Sequence, residues 1–289
     1  MLTVSAYAKI NLTLEVLGRR SDGYHEVATV LQEIAIKDTL SFEEHCGISL
    51  DCDYPSLKSP QNLALKAARL LQEAAKSRKG VLISIKKGIP IAAGLGGAAS
   101  DAAATLRALN ELWELGFSLD QLLLLASRVS SDTAFFLYGG TALGEGRGER
   151  ITPLPPLPTS WVVLFRPPIE VPPGKTESLY ASLNPSHFTD GQLTERMVEL
   201  LYQRGEISPS FFFNAFERVA FTAFQRLEGY WQRFLALGAD NIHLAGSGPT
   251  LFTMVSDKPH GEGLYRSLKR EGLEAYLVQT IEADKSGGT

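Results

Sequence analysis

Cysteine is nearly absent. The 289-residue chain has two, Cys46 and Cys52. That excludes a disulfide framework, and their spacing matches no common zinc pattern. Read as reduced thiols in or beside a strand, they make the cytoplasm the expected compartment. Positive charge is not in excess either. Lys and Arg number 28 against 32 Asp and Glu, for a net charge of -4, which argues against generic nucleic-acid binding. No apolar run has bilayer length; LLLLASRV is too short to span one. The N-terminus has no charged start followed by an apolar stretch, so no signal peptide is expected. The pattern GxxxxGK[ST] does not occur, so a Walker-type phosphate loop is excluded.

What remains is ordinary globular material, 44% hydrophobic and 21% charged, long enough for one large or two modest domains. TVSAYAKINLTLEV alternates. Val4, Ala6, Ala8, Ile10, Leu12, Leu14 and Val16 share one face, and Lys9, Asn11, Thr13 and Glu15 share the other. Period two predicts a strand with one buried face, Lys9 and Asn11 pointing away from the core. ATVLQEIAI, DTLSFEE, GISLDCD and VLISIKKGIP read as further strands, and Leu63, Ala67, Leu70, Leu71 and Ala74 mark a helix. Ala102, Leu106, Leu109 and Trp113 fall on one face of a second helix. Ser118 with Gln121 forms a capping-box pattern before a third. FFLYGGTALGEGRGERI reads as strand, turn and strand.

The four prolines of TPLPPLPTS suggest a boundary, dividing the chain into 1–152, a linker at 153–160 and 161–283, with 284–289 as a disordered tail. Beyond the prolines, WVVLFRP predicts a strand. DGQLTERMVELLYQRG and NAFERVAFTAFQRLEGYWQRFLALG predict two helical stretches. NIHLAGSGPTLFTMVS reads as strand, glycine turn and strand, and a helix and a strand close the chain. Strands and helices mix without strict βαβ alternation, which favours an α+β fold.

PIAAGLGGAASDAAATL is the most informative stretch. Gly94, Gly96 and Gly97 allow a sharp turn, and a helix starting near Ser100 would aim free N–H groups into it. Such a loop serves an anion or, equally, a close helix–strand contact. A second glycine turn at Gly246 and Gly248 serves a ligand or an ordinary hairpin. Asp132 is a helix cap or turn residue, or a buried acid awaiting a partner such as Lys9.

Taken together, AKINLTLEVLGRRSDGYHEV, NLALKAARLL, IPIAAGLGGAASDAAATL, SSDTAFFLYGGTALGEGRGE and LAGSGPTLF resemble the GHMP kinase superfamily, most densely over residues 5–150. AKINLxL with DGYHE resembles the branch whose acceptor carries a cytidine diphosphate. The resemblance implies a two-domain α+β fold, with an N-terminal ribosomal-protein-S5-like domain and a C-terminal ferredoxin-like α/β sandwich. It implies transfer of the γ-phosphoryl of ATP, with Mg²⁺, to a tertiary hydroxyl of a cytidylated methylerythritol in non-mevalonate isoprenoid synthesis. The partners it implies are these two small molecules, with neither nucleic acid nor membrane.

The roles it implies are specific. Asp132 would orient or deprotonate the hydroxyl. Lys9 would lower that hydroxyl's pKa and stabilise developing charge. Asn11 would bond the sugar-alcohol. Tyr24 and His25 would hold cytosine, with Thr176 and Tyr180 as its second wall and Gly246 and Gly248 contributing to the acceptor site. Pro90, Gly94, Leu95, Gly96, Gly97 and Ser100 would contact ATP phosphates, Lys87 would meet them from just before the loop, and Asn62, equally natural as a helix cap, would lie at the adenine. Ser100 is the candidate Mg²⁺ ligand. The chain also departs from the family pattern. Ala98 and Ala99 replace a glycine and a serine in the loop, SSDTAFF replaces GSDVPFF, and Pro249 follows the last glycine turn. No proposed catalytic side chain is lost. A homoserine- or mevalonate-type kinase is the rival, and DGYHE argues against it because those acceptors carry no cytosine.

Overall fold

The computed structural model describes residues 1–283; the tail expected to be disordered lies outside them. The chain forms two compact units, each discontinuous in sequence. One holds residues 1–8, 36–91 and 96–139, and the other residues 9–35, 92–95 and 140 onward.

Two long strands, β1 (Leu2–Arg19) and β2 (His25–His45), contribute to both units. In the first unit, Thr39–His45 of β2 pairs antiparallel with β4 (Gly80–Lys86), and β3 (Ile48–Cys52) pairs parallel with β4. The crossover between β3 and β4 carries α1 (Leu63–Ala74), which begins at Asn62, whose side chain accepts from the Ala64 N–H. The buried face of α1 centres on Ala64, Ala67, Ala68 and Leu71. It packs against α2 (Gly97–Leu112) and α3 (Leu119–Val129). Ala102, Leu106, Leu109 and Trp113 are buried as their spacing predicts. Ser118 and Gln121 form the reciprocal capping box that starts α3.

The segment after Asp132 differs from expectation. Thr133–Tyr138 is a short helix, α4, not a strand. A brief apolar run has no readable period, and packing against α2 and α3 decides its form. The strands follow it, as β5 (Thr141–Gly146) and β6 (Arg150–Pro153).

In the second unit, β5 pairs with Val27–Gln32 of β2 and with β6. β1 pairs in parallel with β8 (Phe213–Asn214). A four-stranded antiparallel sheet runs in the order β11 (Glu274–Gln279), β7 (Trp161–Arg166), β10 (Leu251–Val255), β9 (His243–Leu244). α9 (Lys258–Arg270) packs on it. Further helices are α5 (Lys175–Ser182), unforeseen in the sequence, α6 (Gln192–Gln203), and those of the stretch from 214 onward. That stretch breaks into α7 (Glu217–Ala223) and α8 (Leu227–Ala236), because Arg226 adopts a left-handed φ of 72°. Phe165, Phe216, Phe224 and Phe234 are fully or almost fully buried in one core with Leu244 and Leu251. Each such ring stabilises the fold by about 1.5–3 kcal/mol.

Candidate active site

The expectation that β1 buries one face is corrected over its second half. From Ala8 to Val16 both faces are covered, and Lys9 and Asn11 are each 4% exposed. In the second unit the opposite face is closed by the start of α6. The Thr194 N–H donates to Glu15 Oε2 at 2.6 Å, and Thr194 Oγ1 bonds Thr13 Oγ1 at 2.9 Å. A polar face buried in this way carries a hydrogen-bond relay. Lys9 Nζ donates to Asn11 Oδ1 at 2.8 Å, Asn11 Nδ2 to Thr29 Oγ1 at 2.8 Å, and Thr29 Oγ1 to the Thr13 carbonyl at 2.6 Å. The relay fixes both the ammonium and the orientation of the Asn11 amide.

The same unit brings the two glycine turns to Lys9. The Lys9 N–H donates to the Leu95 carbonyl at 3.0 Å. A Cβ on Gly246, whose φ is 53°, would lie 2.7 Å from the Gly94 carbonyl oxygen, 3.0 Å from Lys9 Nζ and 3.4 Å from Asn11 Oδ1. A Cβ on Gly94 would fall 2.0 Å from the Ala245 carbonyl oxygen. Both glycines are therefore required by close approach as well as by φ. Two residues that sequence reasoning missed hold this arrangement. Asn214, 1% exposed, donates through Nδ2 to the carbonyls of Leu244 and Gly246, each at 2.8 Å. Lys175 Nζ donates to the Ala92 carbonyl at 2.8 Å and to that of Gly248. Ala92 itself holds a left-handed φ of 55°, a conformation an alanine adopts only at a cost of about 1–2 kcal/mol. No sequence signal marks Asn214. Lys175 stands beside Thr176, within a stretch already singled out.

An aromatic group forms where a planar base was expected. His25 stacks on Tyr180 with centroids 4.9 Å apart and planes 17° from parallel, and Phe188 closes edge-on at 6.0 Å. Burial, then the nearby Arg19 charge, lowers the His25 pKa. A neutral imidazole results, with one donor and one acceptor nitrogen. Thr176 Oγ1 bonds Ser247 Oγ at 2.8 Å. Tyr24 is 53% exposed and carries the Arg147 guanidinium 4.8 Å over its ring. It is not among the stacking contacts of His25.

The first unit holds the remaining candidates. Asp132 occupies the residue before α4, yet its side chain makes no capping hydrogen bond to that helix. α2 starts at Gly97, three residues before the expected Ser100, with Gly96 left-handed at φ 76° as its cap. Gly96 has no side chain with which to cap the first N–H groups of α2, which is the geometry of a helix-terminal anion site. Ser100 is buried within the first turn. Asn62 is committed to capping α1, and its Nδ2 donates to the Leu57 carbonyl at 3.1 Å. Pro90 is half-buried at the start of the loop.

Lys87 is held between two carboxylates. Its Nζ lies 2.9 Å from Asp101 Oδ2 and also binds Asp38. Asp38 Oδ1 in turn accepts from the Gly88 and Ile89 N–H groups at 2.7 and 2.8 Å. Asp101 is pushed up to about 7, by burial first and with Asp38 adding to it. A Cβ on Gly97 would lie 3.4 Å from Lys87 Nζ, so the triad abuts the start of α2. Among the described residues no group of three or more His, Cys, Asp or Glu side chains is arranged to hold a metal ion. No helix among them is long and apolar enough to cross a membrane.

Known proteins match this architecture. Residues 62–140 match the GHMP kinases N terminal domain and residues 190–274 the GHMP kinases C terminal domain. A protein of Dehalococcoides mccartyi named 4-diphosphocytidyl-2-C-methyl-D-erythritol kinase is 45% identical, over 97% of this chain and 99% of its own. A crystal structure of 4-(cytidine 5'-diphospho)-2C-methyl-D-erythritol kinase superposes with a TM-score of 0.81 at 34% identity, covering 96% of this chain and 99% of that one. A homoserine kinase from Cytophaga hutchinsonii, 15% identical with a TM-score of 0.71 and covering 97% of this chain and 95% of its own, shares the fold alone.

Proposed function

We propose a reaction and a set of residue roles for this chain, which belongs to the 4-diphosphocytidyl-2-C-methyl-D-erythritol kinase family of the GHMP kinases. As a GHMP kinase it is an ATP-dependent enzyme acting on small molecules. The reaction we assign is transfer of the γ-phosphoryl of ATP to the 2-hydroxyl of 4-diphosphocytidyl-2-C-methyl-D-erythritol, giving the 2-phosphate and ADP. Its place is the cytoplasmic non-mevalonate route to isoprenoids. The observation that carries the acceptor is the His25–Tyr180 stack. A neutral imidazole beside a phenol ring suits the flat, hydrogen-bonding face of cytosine.

In this reading the acceptor oxygen attacks Pγ, the bond from Pγ to the β–γ bridging oxygen breaks, and the hydroxyl proton passes to Asp132. Asp132 carries a carboxylate at the residue before α4 without capping that helix. Lys9, fixed by Asn11, lowers the hydroxyl's pKa and stabilises the charge that develops on it. Asn11 bonds the sugar-alcohol portion. His25, Tyr180 and Thr176 hold the cytidine, with Tyr24 as an outer face, and the turn at Gly246 and Gly248 lines the acceptor. Pro90, Gly94, Leu95, Gly96, Gly97 and Ser100 cradle the triphosphate, chiefly through backbone N–H groups at the start of α2. Asn62 lies at the adenine. Lys87 acts through its hold on the loop as well as by its charge. Mg²⁺ would enter on the triphosphate, with Ser100 as its side-chain ligand and phosphate oxygens supplying others, and would neutralise charge there. We also read residues 1–152 and 161–283 as two family modules joined by the prolines at 153–160.

The test is ADP release with Mg-ATP and each of three acceptors: the cytidylated methylerythritol, homoserine and mevalonate. Release with the first alone, reduced about 10²- to 10⁴-fold in Asp132→Asn, is the expected result. Release with another acceptor would overturn the substrate assignment and leave the kinase.

A further inference from the structure

Lys175 lies outside the roles assigned above, and its surroundings are unusual for a lysine. It opens α5 after a left-handed Gly174 and is half-buried. Its ammonium is bonded by two neutral acceptors, the carbonyls of Ala92 and Gly248. No carboxylate among the described residues pairs with it. The charged groups that face it are both cations, Lys9 and Arg166. Both have partners of their own, Arg166 in Glu274 at 2.9 Å and Lys9 in Asn11 at 2.8 Å. Carbonyls satisfy the geometry of an ammonium without neutralising it, so Lys175 keeps its own charge uncompensated where the two glycine turns meet. The neighbouring hydroxyls of Thr176 and Ser247, 2.8 Å apart, add further donors.

We propose that Lys175 is a phosphate-binding residue of the kinase reaction, exchanging its two backbone carbonyls for an oxygen of a nucleotide di- or triphosphate. The assignment rests on the kinase reading above. An anion at Lys175 offsets the unfavourable action of the Lys9 charge on its ammonium. In the unliganded protein, burial first and then the Lys9 and Arg166 charges bring the Lys175 pKa down to about 7. A phosphate oxygen at the ammonium raises it again. Binding therefore takes up a proton above neutrality, and affinity falls as pH rises through 7. The phosphate is that of ATP or that of the cytidylated acceptor; both offer the same oxygens.

Calorimetric titration of the full chain with ATP and, separately, with CDP identifies which. Wild type, Lys175→Met and Lys175→Arg are compared at about pH 6 and pH 8. For one of the two ligands, wild-type affinity should fall about tenfold more between these pH values than that of Lys175→Arg, whose guanidinium stays charged. Proton uptake at the higher pH, read from two buffers of different ionisation enthalpy, should approach one per ligand in wild type and vanish in both variants. Lys175→Met should lose at the lower pH at least the affinity that wild type loses on going to the higher one. Should Lys175→Met fail to fold, the comparison with Lys175→Arg decides alone. Equal affinities and equal proton uptake in the folded proteins, for both ligands, would overturn the proposal. ADP release by wild type is measured alongside. An active wild type with unaltered Lys175 variants sinks this inference only, whereas a wild type inactive on every acceptor sinks the reaction assignment instead.

Discussion

Gly94 and Gly246 belong to different glycine turns, yet a single methyl group on Gly246 would come within 2.7 Å of the Gly94 carbonyl oxygen and 3.0 Å of Lys9 Nζ. The turns are thus fitted to each other and to the lysine with no spare room. Gly246→Ala must shift at least one of them. Displacements near 1 Å in a phosphoryl-transfer site cost about 10²-fold in rate, so kcat/KM should fall at least that far. The loss should appear mainly in kcat if Lys9 is what moves. A variant with wild-type kcat and a raised KM for ATP alone would show that the strain goes into the phosphate loop.

Asn214 supplies both hydrogens of its amide to the second turn. Asn214→Ala leaves the buried carbonyls of Leu244 and Gly246 without these donors, and an orphaned buried acceptor costs about 1–3 kcal/mol. Urea denaturation should show a lower midpoint with an unchanged slope. Asn214→Asp should be at least as damaging, since it replaces donors with a charged acceptor facing two carbonyl oxygens.

The stacked pair of His25 and Tyr180 separates the two substrates experimentally. Tyr180→Ala removes a face worth about 0.5–1.5 kcal/mol. It should therefore raise KM for the cytidylated acceptor several-fold while KM for ATP stays put. Tyr180→Phe keeps the ring and should retain the stacking share of the affinity that Tyr180→Ala loses. Equal effects on the two KM values would mean that the stack serves the fold and not the base.

Asp101 predicts a dependence of stability on pH. An unfolded aspartate titrates near about 3.9, whereas burial in the triad pushes Asp101 up to about 7. Between those values the folded protein retains a proton that the unfolded chain has released. Asp101 therefore lowers stability as pH rises from about 4 to 7. Lys87 opposes this by attraction, and its own pKa is raised by the two carboxylates despite burial. Relative to Asp101→Asn, wild type should lose about 1 kcal/mol or more over that interval in urea unfolding. A difference that does not vary with pH would mean that Asp101 stays ionised throughout.

How much of this was legible depended on how far away the deciding partner lay. The capping box of Ser118 and Gln121 was readable because both halves lie within one turn. The face of Ala102, Leu106 and Leu109 was readable because helical period is local. The burial of Lys9 and Asn11 was not. The alternation of β1 identifies its strand, but the cover over the second face near Thr13 and Glu15 comes from Thr194, nearly two hundred residues on. The short run TAFFLY fits helix and strand equally, and its neighbours in the fold make it α4. The aromatic clamp was half visible. The resemblance put Tyr24 and His25 on one side of a base and Tyr180 on the other, whereas His25 stacks on Tyr180 itself and Tyr24 meets Arg147. Asn214 and Lys175 carry no pattern of their own, since their importance lies in which carbonyls they reach.

The discontinuity of the second unit also bears on the chain during its synthesis. Residues 9–35 leave the ribosome early and β1 has β2 beside it at once, but Thr13 meets β8 only when Phe213 appears, and Gln32 Nε2 and the Glu33 carbonyl wait for Ile281. Contacts so remote in sequence form slowly. Until Thr194 and Phe213 have emerged, the edge of β1 turned away from β2 offers unpaired backbone, and its polar face near Thr13 and Glu15 lacks its cover. The nascent chain therefore has a long interval in which chaperone protection of that strand matters most.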